Sequence, residues 1–218
     1  MNKTLSLSNK WALLTVTQAC VLGASFMCGQ VLASPSSDLL EHLQAPAAEG
    51  KLEALESKEM HGCFLENDGG EYECSWTRED FHQVLGIVIG LASDPHPRIR
   101  ESVAGYMSGS TDARIVEPLG RMLMDSDAKV RNIAVSAFIF IYLDPGNVPT
   151  QVRKKIIRRL ERLLEDTDSS IRGDAAAALV RNGTRQSQEK LKRAYRRETD
   201  QNTRAIMAEI IHQLEGKK

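Results

Sequence analysis

Asp94-Pro-His-Pro-Arg-Ile-Arg100 recurs as Asp125-Ser-Asp-Ala-Lys-Val-Arg131 and as Asp166-Thr-Asp-Ser-Ser-Ile-Arg172, with a looser copy in Glu198-Thr-Asp-Gln-Asn-Thr-Arg204. In every copy an acid stands six positions before an arginine, and the arginines follow one another at 31, 41 and 32 residues. A period of this length marks a stack of helix pairs rather than an ordinary globular core. Such stacks present extended surfaces, each unit touching only its neighbours.

The residues beyond each arginine keep one rhythm. Arg100 leads to Val103, Ala104, Tyr106 and Met107, and Arg131 to Ala134, Val135, Ala137 and Phe138. Arg172 leads to Ala175, Ala176, Ala178 and Leu179, and Arg204 to Met207, Ala208, Ile210 and Ile211. Offsets of three, four, six and seven lie on one side of a helix. Alanine on that side lets neighbouring helices approach, and the larger residue fills the space beyond. Ahead of each acid runs another apolar segment: Val84 to Leu91, Ile115 to Met124, Ile156 to Leu164 and, more weakly, Leu191 to Tyr195. Each unit therefore reads helix, tight turn, helix.

This pattern resembles the HEAT-repeat family, in particular the short bacterial units described with phycobilin-lyase-type repeats, over about residues 80–214. The resemblance implies an all-α, right-handed α-solenoid of about four helix pairs. Glu198 and Thr203 depart from the motif, as a terminal cap unit should. The turn acids can accept N–H groups at the start of the second helix and meet its dipole. The arginines can bond acids of their own or the adjacent unit. Groups that recur in every unit are expected to hold turns rather than to catalyse, so Asp94, Arg100, Asp125, Arg131, Asp166, Arg172 and Arg204 are assigned to a structural ladder.

The first 33 residues read as a secretory signal: Lys3 and Lys10, a largely apolar Trp11 to Leu32, and Val31-Leu-Ala33 ahead of Ser34-Pro35. An uncleaved anchor is the alternative. Cleavage would leave Cys63 and Cys74 in a periplasmic or secreted protein, where an even pair favours a disulfide. Asn67-Asp-Gly-Gly70 between them is a turn signal, so a small disulfide-closed β-hairpin is expected, with Phe64 opposite Glu73. Zinc held by His61, Cys63, Cys74 and His82 is the rival, and a redox-active pair a further one, although neither has the usual spacing. The expected division is signal 1–33, N-terminal lead with hairpin 34–76, and repeat domain 77–218. Thr77 with Asp80 three residues on should cap the first long helix.

Charge is uneven along the chain. Residues 34–97 carry 13 acids against 3 bases, and residues 151–218 carry 17 bases against 10 acids. Arg158 and Arg159 in one basic helix and Arg193 and Arg197 in the next are expected on adjoining faces, as a site for an anionic surface or partner. A second candidate surface is apolar. Val135, Ile139, Phe140 and Leu143 lie off the inward stripe, and are either buried by repeats on both sides or left as a partner patch.

The sequence has no nucleophile elbow, phosphate-cradling glycine loop or HExxH helix. No cofactor or metal is implied, and no catalytic residue is assigned. Nucleic acid is disfavoured for an exported chain without aromatics among its basic residues. The expected function is a non-catalytic, protein-binding scaffold or adaptor. The alternatives are a bilin-lyase-like enzyme or assembly factor, and a membrane-surface binder acting through the basic helices.

Overall fold

Ser57 decides the fate of the segment expected to open the hairpin. In the computed structural model, which describes residues 34–64 and 76–215, its hydroxyl accepts the Met60 N–H at 3.2 Å and starts a helix. That helix, α3 (Lys58–Phe64), includes Cys63 and buries Met60 completely. The run from Lys58 is thus amphipathic and capped, and Cys63 and Phe64 do not begin a strand. The β-hairpin is not supported: every regular element among the described residues is helical. Residues 65–75, including Cys74, lie outside the described residues, as do 1–33, on which the signal reading falls.

Two short helices, α1 (Ser37–Leu43) and α2 (Ala48–Leu55), precede α3. The stack continues with α4 (Arg78–Gly90), α5 (Pro97–Gly109), α6 (Val116–Met122), α7 (Ala128–Phe140), α8 (Thr150–Leu163), α9 (Ser169–Asn182), α10 (Arg185–Arg197) and α11 (Gln201–Glu215). Thr77 caps α4 in a reciprocal box with Asp80, as the sequence predicts. Pro97 opens α5, where a missing N–H costs nothing. Asp127 and Asp168 cap α7 and α9.

The helices form two layers. The second helices α5, α7, α9 and α11 pack side by side, with α2 ahead of α5. The first helices follow the same order, α6 on α8 and α8 on α10. The small-residue rhythm fills the seam between layers: Val103, Ala104, Ala134, Val135, Ala175 and Ala176 are all fully buried. Gly120 marks the tightest approach, because a Cβ there would lie 2.6 Å from the Ile156 side chain. No helix among the described residues is long and apolar enough to cross a membrane.

The uneven period has a local cause. Between α7 and α8 the chain runs through residues 141–149, whereas α9 and α10 are separated only by Gly183 and Thr184. Leu143 and Val148 plug this longer connection into the core. Asn182 anchors it from the next repeat. Its Oδ1 accepts the Leu143 N–H at 2.9 Å, and its Nδ2 donates to the carbonyls of Phe138 and Ile141 at 3.1 and 2.9 Å. One buried amide thereby satisfies both the end of α7 and the loop that follows.

Candidate interaction surfaces

Arg131 shows how the turns are joined. Its Nη1 donates to the carbonyls of Asp125 and Ser126 at 2.9 and 3.2 Å, closing its own turn. Its Nε and Nη2 donate to the two carboxylate oxygens of Asp166, one repeat on, at 2.8 and 3.0 Å. Arg100 does the same, holding the carbonyls of Asp94 and Pro95 and both oxygens of Asp125. Arg172 holds the carbonyls of Asp166 and Thr167 and both oxygens of Glu198. Forked, bidentate pairing of this kind fixes register as well as contributing energy.

Where a turn carries two acids, they divide the work. Asp125 and Asp166 take the arginine of the preceding repeat and the N–H two residues on, at 2.9 and 3.0 Å. The cap of the second helix falls instead to Asp127 and Asp168. At the N-terminal end Lys51 of α2 reaches Asp94 at 2.7 Å. Lys51 stands six residues after Ala45, so α1–α2 is a further helix pair in phase with the rest, its acid and arginine replaced. Those two replacements hide the unit from a search for the motif.

Desolvation and pairing compete at the ladder acids. Burial alone would raise Asp125 and Asp166, but the bonds from Arg100 and Arg131, with the turn N–H groups, hold both below the ordinary range. At Glu198 the Arg172 bond outweighs burial, and with the Asp200 and Thr199 N–H groups holds the carboxyl at about 2, against an ordinary 4.5. A depressed carboxyl contributes stability that is complete above the unfolded value and lost as pH falls through the folded one. Glu198→Gln should therefore cost stability at pH 7, by up to about 3 kcal/mol. The gap from wild type should close between pH 4.5 and 2, as urea unfolding at several pH values would register.

The basic residues do not assemble as expected. Arg159 is half-buried and donates to the Gly120 carbonyl at 2.8 Å, on the α6 side. Arg158 is exposed. The groove between α8 and α10 is lined by Glu161, Arg162, Leu164, Lys190, Arg193 and Arg197. Arg162, one turn beyond Arg158, is thus the α8 arginine beside Arg193 and Arg197. Within the groove Glu161 is buried and consumed by Ser187 at 2.7 Å and Lys190 at 2.6 Å. Arg197 meets Glu165 at 3.7 Å with both side chains exposed, a contact worth little.

The apolar candidates separate in the same way. Val135 is fully buried, because α7 packs against both α5 and α9, and it leaves the set of partner-facing residues. Leu143 is buried as well. Ile139 is half-buried against the core. Phe140 is 77% exposed, and Tyr142, which the sequence reading passed over, is 55% exposed. Arg181 of α9 donates to the Phe140 carbonyl at 3.2 Å, so the aromatic end of α7 is tied to the next repeat.

The histidines of the zinc alternative are engaged separately. His61 Nδ1 lies 2.9 Å from the Ser57 carbonyl and 3.2 Å from the Tyr106 hydroxyl. His82 Nε2 faces Asp112 at 3.7 Å. Burial, with the nearby Glu56 charge, raises the Tyr106 hydroxyl to about 12, so it stays protonated and donates to the Leu55 carbonyl.

A family model described as Cnd1, non-SMC mitotic condensation complex subunit 1, matches residues 111–216. Among solved structures, a crystal structure of an engineered protein from the Northeast Structural Genomics Consortium is 17% identical with a TM-score of 0.50. The match covers 82% of this chain and 97% of that one. A second engineered protein from the same consortium gives a TM-score of 0.45 at 17% identity, over 82% of this chain and 88% of that one. A designed armadillo repeat protein in complex with the peptide (KR)4 gives 0.36 at 14%, over 81% and 100%. No curated protein matches the chain. At 17% identity the first of these structures shows a likeness of fold alone, and with the family-model match it supports a HEAT-like α-solenoid built from repeated helix pairs.

Proposed function

We propose that this chain is a non-catalytic scaffold of the short bacterial HEAT type, exported from the cytoplasm, that binds another protein on its layer of second helices. The observation that supports this most is the end of α7. There Phe140 and Tyr142 are the most exposed large apolar residues described, and Arg181 and Asn182 hold the backbone beneath them. A large aromatic kept in water on a braced backbone has the character of an interface anchor. The test compares Phe140→Asp with reversal of Arg158, Arg193 and Arg197 in affinity capture from the native compartment. The expected result is one stoichiometric partner, lost with Phe140→Asp while helix content and melting temperature stay unchanged. A partner retained by Phe140→Asp would contradict the proposal.

The basic first helices support a second reading, association with an anionic membrane surface. Exposed Lys154, Lys155, Arg158, Arg162 and Arg196 make no ion pair among the described residues. Binding to phosphatidylserine vesicles but not to phosphatidylcholine vesicles, lost at high salt, would favour it. In the exported form the chain begins at Ser34, and Cys63 is joined to Cys74. N-terminal sequencing and mass analysis after alkylation, with and without reductant, check both points.

A further inference from the structure

Among the described residues, Arg204 differs from the other ladder arginines. Arg100, Arg131 and Arg172 each place Nη1 on carbonyls of their own turn and turn Nε and Nη2 toward the acid of the next repeat. Arg204 repeats the first half of this arrangement. Its Nη1 donates to the carbonyls of Glu198 and Tyr195 at 3.2 and 3.1 Å, and its guanidinium sits 4.6 Å from the centre of the Tyr195 ring. Its Nε and Nη2 meet no acceptor among the described residues, and the side chain is exposed. The acids of its own turn are already occupied. Glu198 is held by Arg172, and Asp200 accepts the Thr203 N–H at 2.8 Å.

We infer that Arg204 is a carboxylate-binding site, and that it takes an Asp or Glu side chain from an acidic segment of a protein partner seated against the α10–α11 end of the stack. Three copies of the same fork inside this chain define what fits: a carboxylate that accepts two parallel N–H bonds. The guanidinium is held in place before any partner arrives, so little side-chain entropy is lost on binding. Arg196 and Arg197, both exposed, end α10 immediately before this turn and add charge of the sign an acidic segment would seek. A second copy stacked in register does not supply the acid. The α1–α2 turn has Ala45 where the later turns have Asp or Glu, so it carries no ladder acid for an arginine in that register.

This inference rests on the binding reading and names the chemistry of one contact within it. The experiment follows the Arg204 Nε–H signal by NMR in the full chain during titration with hexa-aspartate, and with hexa-asparagine as the uncharged control. Hexa-aspartate should shift that signal saturably and hexa-asparagine should not. Arg204→Lys keeps the charge but loses the fork, and should weaken hexa-aspartate binding about tenfold, while Arg158→Ala leaves it unchanged. Equal binding by wild type and Arg204→Lys, or shifts confined to α8, would overturn the site. Salt-sensitive self-association abolished by Arg204→Glu would overturn the assignment to a different protein. The Phe140 comparison does not involve Arg204, so the two proposals fail separately.

Discussion

Arg131→Ala is expected to lower the unfolding free energy by about 3–5 kcal/mol, the cost of leaving a buried carboxylate without its cation. Asp166 has only 7% of its side chain exposed and would lose both bonds from the fork. The carbonyls of Asp125 and Ser126 would lose their donor at the same time. Urea unfolding followed by circular dichroism measures the loss. Because repeat stacks gain stability from interfaces between units, the change should also weaken the contact between α7 and α9 beyond the substituted turn. Hydrogen exchange would show this as lost protection in both helices. If Arg131 instead served a reaction, its removal would spare stability.

Asn182→Leu should cost about 3 kcal/mol, although leucine is close to asparagine in size and more apolar. The substitution leaves the Leu143 N–H and the Phe138 and Ile141 carbonyls without partners in a buried setting, each worth about 1–3 kcal/mol where water does not reach. The Leu143 amide, whose buried bond to Asn182 should make it slow to exchange in the native protein, should become fast. A variant as stable as wild type would mean that the 141–149 connection is held by Leu143 and Val148 packing alone.

The period of the turn motif and the offsets of the small residues made the layers legible, because burial on one helical side and close helix approach both constrain residue type. The two leading helices do not read as a repeat unit in the sequence, because Ala45 and Lys51 preserve the spacing but not the chemistry. The hairpin expectation weighed the Asn67 turn signal above the capped, amphipathic run that begins at Ser57, and the helix prevailed over Cys63 and Phe64. Val135 reads either as buried by repeats on both sides or as part of a partner patch, and the packing of α7 between α5 and α9 decides for burial. The basic helices were legible as charge but not as geometry. Residues 158, 159 and 162 lie within one turn of α8, and only packing shows that Arg159 turns to Gly120 while Arg162 faces α10. The unmatched fork of Arg204 is not legible in the sequence, since this looser copy still keeps an acid six positions before its arginine.

The claim at the centre of this account is that each arginine couples its own turn to the acid of the next repeat. A double-mutant cycle on Arg131→Ala and Asp166→Ala, read by urea unfolding, isolates that coupling from the cost of each change alone. The account predicts that the two losses overlap, with a coupling energy of about 2 kcal/mol or more. Losses that simply add would contradict it.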